Sequence, residues 1–138
     1  MTPAGLSQRF RILGRETRVS GIAPILWDED RKVDIARIAN ATAKLLQCDL
    51  ELNHSDILSS DEYIGERYGV LTQEGRDALK LVAETEGIFL DPVYTSKAMA
   101  GMIDQIRKGI ITKNETVVFI HTGGLPALFA YAEDLMLS

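Results

Sequence analysis

Three long stretches of the chain repeat their apolar residues at the spacing of a helix. In each stretch the apolar positions recur about every 3.6 residues with polar residues between them, which predicts an amphipathic helix. The predicted helices cover residues 31–47, 72–86 and 95–108. Their inward faces are predicted to carry Ile35, Ile38, Ala39, Thr42, Leu45 and Leu46 in the first, Ala78, Leu79, Val82 and Ala83 in the second, and Met99, Met102, Ile103 and Ile106 in the third.

Capping residues set the predicted ends of these helices. Thr72 is a good N-cap residue, and Gly87 and Gly109 are placed to end the second and third helices. A shorter helix is predicted over residues 4–13, ending at Gly14. A last helix is predicted to open at Pro126, near its first position.

Short apolar runs separate the helical stretches and predict strands. They lie at residues 18–23, near 57–58 and at 116–120. Helices that alternate with such strands predict an α/β fold, with a parallel sheet covered by helices on both faces. Ligands bind beyond the carboxyl ends of the strands in these sheets, which directs attention to residues 91–97 and 122–124.

Composition narrows the class of protein. The 138 residues suit one domain, and 46% hydrophobic with 25% charged residues is typical of a globular protein. The net charge is −5 and the basic residues are scattered, which argues against nucleic-acid or membrane binding. The single cysteine, Cys48, fits a reducing compartment, so we expect a cytoplasmic location. With one cysteine and two distant histidines, His54 and His121, no metal site is expected.

Two segments carry candidate chemistry, and each also has a structural interpretation. Gly123-Gly124 lets a ligand approach the backbone in front of a helix N-terminus, although a tight turn explains the pair equally. Tyr94 precedes a helix start and is either a functional hydroxyl or a half-buried aromatic. Lys97 follows on the first helical turn, where we expect a solvated lysine whose charge opposes the helix dipole.

A second tyrosine-bearing segment is less regular. Tyr63 and Tyr68 flank Gly65 in a polar stretch. Tyrosine acts as an acid or base once its surroundings shift its pKa, but turn packing also explains these residues. Physical reasoning alone therefore predicts an α/β domain with an anion or cofactor site, and it names no reaction.

The sequence EGIFLDPVYTSKAMAGMI at residues 86–103 resembles a signature of the D-cysteine desulfhydrase and 1-aminocyclopropane-1-carboxylate (ACC) deaminase family. His121 to Gly124, followed by residues 126–128, resembles the C-terminal motif of that family. Residues 63–69 resemble its tyrosine-bearing loop. Residues 2–6 resemble the tail of the glycine-rich loop that holds the phosphate of pyridoxal 5'-phosphate (PLP).

The resemblance implies a PLP enzyme of fold-type II, the tryptophan-synthase-β type, with a three-layer αβα architecture and a mostly parallel sheet. It implies that Tyr68 and Tyr94 are the catalytic tyrosines. It also implies that Thr95 and Thr122 face the pyridine nitrogen. The residues implied to bind the cofactor are Thr2, Ala4, Gly5, Thr95, Thr122, Gly123 and Gly124.

The threonine pair points to one branch of the family. Threonine at positions 95 and 122 resembles the desulfhydrases, whereas the deaminases typically carry glutamate and leucine there. The implied reaction is β-elimination on D-cysteine, giving pyruvate, ammonia and sulfide. Neutral hydroxyls leave the pyridine ring less electron-withdrawing, which suffices for a good leaving group. ACC deamination and cysteate lysis are the alternatives.

The resemblance also has gaps. The family's Schiff-base lysine, its Ser-Asn pair and the phosphate-loop glycines have no counterpart in this sequence, and Lys97 does not replace the lysine. We therefore expect residues 1–138 to be a C-terminal cofactor-binding domain fragment, without the small N-terminal domain, and inactive alone. The sequence leaves open a truncated lyase, one subunit of a split enzyme and a non-catalytic remnant. Exposed apolar surface would favour a homo-oligomer or binding to a missing N-terminal half.

Overall fold

The computed structural model describes residues 2–27 and 30–136. The chain divides into two compact units. Residues 1–21 and 27–60 form the first unit, and residues 22–26 and 61–138 form the second. Each unit is described by itself.

The first unit contains two helices and a small sheet. Its elements are α1 (Thr2–Ile12), β1 (Ser20–Ile22, whose last residue belongs to the second unit), α2 (Arg31–Leu45), a 3-10 helix (His54–Asp56) and β2 (Leu58–Ser60). Strands β1 and β2 pair as a two-stranded parallel sheet. Packing of α1 on β1 is close, because a Cβ on Gly21 would lie 3.1 Å from Cγ of Pro3.

Helix α2 is capped by Asp30, whose carboxylate accepts a hydrogen bond from the amide of Lys32 at 2.8 Å. Asn40 ties the helix to the following loop by exchanging two hydrogen bonds with the backbone of Leu52, at 2.9 and 2.8 Å. The buried core of this unit consists of Ala4, Ile35, Ala36, Ala39, Leu52 and Ile57.

The predicted inward face of α2 is wrong at its C-terminal end. Leu45 and Leu46 are 84% and 60% exposed. The helix ends at Leu45, and Gln47 adopts a left-handed backbone with φ of 54°. The chain therefore turns away before its last leucines reach the core, and small alanines form the packed face instead.

The second unit contains four helices. They are α3 (Gln73–Glu86), α4 (Thr95–Arg107), α5 (Ala127–Ala130) and α6 (Ala132–Met136). The predicted caps of α3 are confirmed, since Thr72 Oγ1 accepts a hydrogen bond from the amide of Gly75 at 3.0 Å and Gly87 ends the helix with φ of 66°. Helices α3 and α4 pack around Ala78, Val82, Leu90, Met99 and Ala100.

Three sequence predictions fail in the second unit. Ile106, predicted to face the core, is 48% exposed near the end of α4. The single helix predicted after Pro126 is divided at Tyr131 into α5 and α6. The strand predicted at 116–120 is absent, because no strand of the described residues pairs with this extended segment and its side chains Val117, Val118 and Ile120 are exposed.

Gly101 allows α4 to pack closely on its neighbours. A Cβ at this position would lie 2.9 Å from Cδ1 of Ile22 and 3.0 Å from Cδ2 of Tyr63. The loop that carries Tyr63 therefore lies directly against α4. Among the described residues, no helix is both long and apolar enough to cross a membrane.

Candidate active site

A buried carboxylate sets the start of helix α4. Asp91 is completely buried, and its carboxylate accepts hydrogen bonds from the amides of Val93, Tyr94 and Thr95 at 2.9, 2.8 and 2.7 Å. Tyr94 is the N-cap of α4 and Thr95 its first residue, so two of these amides lie at the helix start, where N–H groups have no helical partner. Asp91 therefore fixes the backbone that presents Tyr94. Sequence reasoning assigned no role to Asp91, although an aspartate just ahead of a helix is a recognisable capping signal.

Thr95 is part of the same cap. Its hydroxyl accepts a hydrogen bond from the amide of Asp91 at 2.7 Å and donates one to Oδ1 of Asp91 at 2.6 Å. The residue is 1% exposed. Because its only hydroxyl proton goes to Asp91, Thr95 is left with one lone pair and can act toward a ring nitrogen only as an acceptor. The contact of Thr95 with a pyridine nitrogen stays a prediction.

The two tyrosines named from the sequence come together in the structure. The hydroxyls of Tyr68 and Tyr94 are hydrogen-bonded to each other, and their rings meet edge to face with centroids 5.9 Å apart. Both side chains are about half exposed. The hydrogen bond with Tyr68 raises the pKa of Tyr94, with smaller contributions from burial and from the charges of Tyr68 and Asp91. The pair therefore favours the protonated form of Tyr94, whose hydroxyl lies beside a second phenol.

The His121–Gly124 loop lies against the segment that precedes α4. Nδ1 of His121 accepts a hydrogen bond from the amide of Gly123 at 3.2 Å, so Nε2 carries the ring proton of a neutral imidazole and donates to the carbonyl of Phe89 at 2.9 Å. Both glycines have positive φ, 101° and 93°. A Cβ on Gly124 would lie 2.6 Å from Cγ of Asp91. The glycine pair is thus a tight turn that also brings Thr122 and Gly123 next to the Asp91 cap.

The three N-terminal residues predicted to bind cofactor lie in the first unit, at the start of α1. Thr2 and Gly5 are exposed, and a Cβ on Gly5 would meet nothing within 4 Å. Ala4 is 2% exposed and belongs to the core, so its methyl group faces away from any ligand. The first-turn amides of α1 are the groups here that suit a phosphate.

The prediction that Lys97 is solvated is wrong. Lys97 is completely buried, and its Nζ donates a hydrogen bond to the carbonyl of Ile64 at 2.6 Å. Burial lowers the pKa of this lysine. The reason is tertiary, because the first turn of α4 packs against the loop that carries Tyr63 and Ile64.

The second unit suits the ring side of a bound PLP. Thr122 is an exposed hydroxyl and the space over Gly123 is open, since a Cβ there would meet nothing within 4 Å. The Tyr68–Tyr94 pair adds two exposed phenols. These residues would contact the aromatic ring and its substituents. Lys97, in the same unit, is buried. Within the described residues, no three His, Cys, Asp or Glu side chains gather as a metal site.

Comparison with known proteins points to the same cofactor, PLP. The family model described as pyridoxal-phosphate dependent enzyme matches residues 1–123. An ACC deaminase of Rhizobium rhizogenes (strain K84) is 38% identical over 131 residues, which are 95% of this chain and 39% of that protein. An ACC deaminase of Methylobacterium nodulans is 40% identical over 130 residues, again 39% of its length. The chain thus spans about two fifths of the curated relatives it matches.

A solved structure supports the fold prediction. A crystal structure described as an ACC deaminase homologue superposes with a TM-score of 0.84 at 36% identity, over 98% of this chain and 40% of that chain. The predicted α/β class is therefore confirmed, although the described residues contribute only two strands to the sheet. From the match over residues 1–123 and this superposition, the chain belongs to the family of pyridoxal-phosphate dependent enzymes.

Proposed function

We propose that the chain serves in a PLP-dependent β-elimination on D-cysteine, which takes up water and gives pyruvate, ammonia and hydrogen sulfide. The hydrogen bond between the hydroxyls of Tyr68 and Tyr94 is the observation that carries this proposal. Two exposed phenols joined by one hydrogen bond form a proton relay at a surface open to a small substrate. Elimination needs such a relay, because a proton leaves Cα and another must reach the departing sulfur.

The proposed roles follow from the pKa of Tyr94. Its pKa is raised chiefly by the hydrogen bond with Tyr68, which favours the protonated phenol. We assign to Tyr94 the delivery of a proton to the leaving sulfur, with Tyr68 as the phenol that shares that proton, and the proton released at Cα restores the pair. When bound, PLP supplies the electron sink for the electron pair released at Cα. Thr122 and Gly123 are proposed to orient the cofactor ring.

Thr95 supports sulfide as the leaving group. Asp91 accepts hydrogen bonds from three amides and from the Thr95 hydroxyl, so its carboxylate has no free position to offer a ring nitrogen. At position 95 the ring nitrogen would face a neutral hydroxyl rather than an ionised carboxylate. A neutral acceptor favours a protonated ring nitrogen less than a carboxylate would, so the ring is a weaker electron sink, which is enough for a good leaving group such as sulfide.

Deamination of ACC is the second candidate, and the names of the curated relatives favour it. The matches to these relatives cover 95% and 94% of this chain. ACC contains no β-leaving group, and opening its ring makes greater demands on the electron sink. The two candidates therefore differ in what they need at position 95.

A substrate panel tests both candidates. The pure chain, with PLP, is assayed for sulfide from D-cysteine and for ammonia from ACC. It is assayed alone and mixed with the portion of the Rhizobium rhizogenes deaminase that it does not match. Sulfide from D-cysteine that disappears in Tyr94→Phe, but persists in Tyr63→Phe, supports the main proposal. Ammonia from ACC without sulfide release supports the second candidate. PLP binding with neither product overturns both.

We further propose that the chain works in the cytoplasm, with its apolar surface covered by another polypeptide. The exposed side chains of Phe89, Val118 and Phe129, at 61%, 74% and 87%, support association. The partner is either a second copy or a polypeptide that corresponds to the unmatched part of the relatives. Sedimentation of the chain alone and of the mixture distinguishes these cases.

A further inference from the structure

Lys97 makes a contact that its burial alone would not favour. The side chain is completely buried, and its only hydrogen bond within the described residues is to the carbonyl of Ile64 at 2.6 Å. No ion pair joins it to a carboxylate in the described part of the chain. A buried amine that uses one of its three donors is costly, because it loses its hydration without full compensation.

The carbonyl that accepts this bond lies at the entrance to the loop that carries Tyr68. Ile64 is itself 3% exposed. Gly65 follows with φ of 76°, and a Cβ there would lie 2.3 Å from Cγ2 of Thr72. A left-handed backbone at Gly65 and a bend at residues 66–67 then lead the chain to Tyr68. Fixing the Ile64 carbonyl fixes where this span begins.

The other end of the contact lies on the helix that follows Tyr94. Lys97 lies in the first turn of α4, three residues after Tyr94, which is the N-cap residue of that helix, so only a short span of backbone separates them. One hydrogen bond, from Lys97 to Ile64, thus joins the segment that ends in Tyr68 to the segment that begins with Tyr94.

We propose that Lys97 is a positioning residue, which holds the Tyr68 loop on helix α4 so that the phenols of Tyr68 and Tyr94 meet. The inference rests on the proposed role of the tyrosine pair. Its geometry and its test concern the pair itself, and they do not depend on turnover or on the substrate.

The energetics separate this role from simple stabilisation. Methionine has nearly the length and shape of the lysine side chain without its charge, and replacing a buried charge by an apolar side chain of similar volume is often neutral or stabilising. The lowered pKa of Lys97 reports the same desolvation. A buried lysine that carries this desolvation penalty is expected at a functional position.

The test compares Lys97→Met with Lys97→Arg, which keeps a donor, and with Lys80→Met, which removes an exposed lysine from α3. Near-ultraviolet titration of the phenols reports the pKa of Tyr94, and Tyr68→Phe gives the value without its partner. We expect Lys97→Met to lose the raised Tyr94 pKa as fully as Tyr68→Phe does, with a denaturant midpoint equal to or above that of the unchanged chain. Lys97→Arg and Lys80→Met are expected to keep the raised value.

Other results overturn the proposal. A lower denaturant midpoint with an unchanged Tyr94 titration would make Lys97 merely structural, and no change in either measurement would leave it without a role in the pair. If Lys97→Met does not fold, Lys97→Arg decides the question. A raised Tyr94 pKa in Lys97→Arg supports the proposal. Loss of the raised pKa in a folded Lys97→Arg protein refutes it. Because no readout is enzymatic, failure here is distinct from failure to release sulfide or ammonia.

Discussion

Asp91 and Thr95 are joined by a closed pair of hydrogen bonds. The amide of Asp91 donates to the Thr95 hydroxyl at 2.7 Å, and that hydroxyl donates back to the Asp91 carboxylate at 2.6 Å. Both residues are almost completely buried. This closed pair fixes the backbone where Tyr94, the start of α4 and the glycine turn meet.

Removing the Asp91 carboxylate is expected to destabilise the second unit strongly. Asp91→Ala leaves three amides and a hydroxyl without their acceptor in a buried place, which costs about 3 kcal/mol or more in unfolding free energy. Asp91→Asn keeps one acceptor oxygen and should cost less. Chemical denaturation measures both. Asp77→Ala is the matched control, because the exposed Asp77 accepts only from the side chain of Gln73. If Asp91→Ala lost as little unfolding free energy as Asp77→Ala, the capping role of Asp91 would be contradicted.

The two glycines of the turn should respond differently to a methyl group. Gly124→Ala meets Asp91 at 2.6 Å in addition to its strained φ, whereas Gly123→Ala has the strained φ and open space. We expect Gly123→Ala to cost about 1–2 kcal/mol from backbone strain and Gly124→Ala clearly more. The difference between their denaturation midpoints measures the Asp91 contact alone. Equal midpoints would show that the turn moves freely away from Asp91.

Loss of the Tyr68 hydroxyl should be visible in the titration of Tyr94. The hydrogen bond with Tyr68 is the largest cause of the raised Tyr94 pKa, so Tyr68→Phe is expected to lower that pKa toward its ordinary value. Near-ultraviolet absorbance against pH measures the change. Tyr131→Phe is the control, since the Tyr131 hydroxyl donates to the carbonyl of Gly69 and not to a phenol. A Tyr94 titration that Tyr68→Phe leaves unchanged would refute the pairing.

The raised pKa of Tyr63 leads us to expect a loss of stability at high pH. Burial, followed by the hydrogen bond to Asp104 at 2.6 Å, raises its pKa from 10.0 to about 12. The unfolded chain thus releases this proton first, and the unfolding free energy should fall as the pH rises from about 10 to about 12. Tyr63→Phe should remove this part of the fall. Asp104→Asn should narrow the pH range of this fall without abolishing it, because burial remains the leading cause of the raised Tyr63 pKa. An identical pH dependence in Tyr63→Phe would contradict the assignment.

The sequence alone determined the long helices and the cofactor family. Periodicity and caps located α2, α3 and α4, because amphipathic spacing and residues such as Thr72 and Gly87 act over one or two turns and leave a local signal. The signature at residues 86–103 and the tyrosine-bearing segment at 63–69 predicted the PLP family, which is confirmed, and singled out Tyr94 and Tyr68, whose hydroxyls the structure brings into contact.

Tertiary contacts decided the rest. Lys97 reads as a solvated lysine on the first turn of α4, and only the loop packed over that turn buries it. Asp91 has no evident role in the sequence until its carboxylate is seen to accept hydrogen bonds from the amides of Val93, Tyr94 and Thr95. The segment at 116–120 has the composition of a strand, yet strand formation needs a neighbour to accept its backbone hydrogen bonds, and the described residues provide none. Local spacing fixes where a helix forms, but burial and strand pairing depend on what the remainder of the fold places alongside.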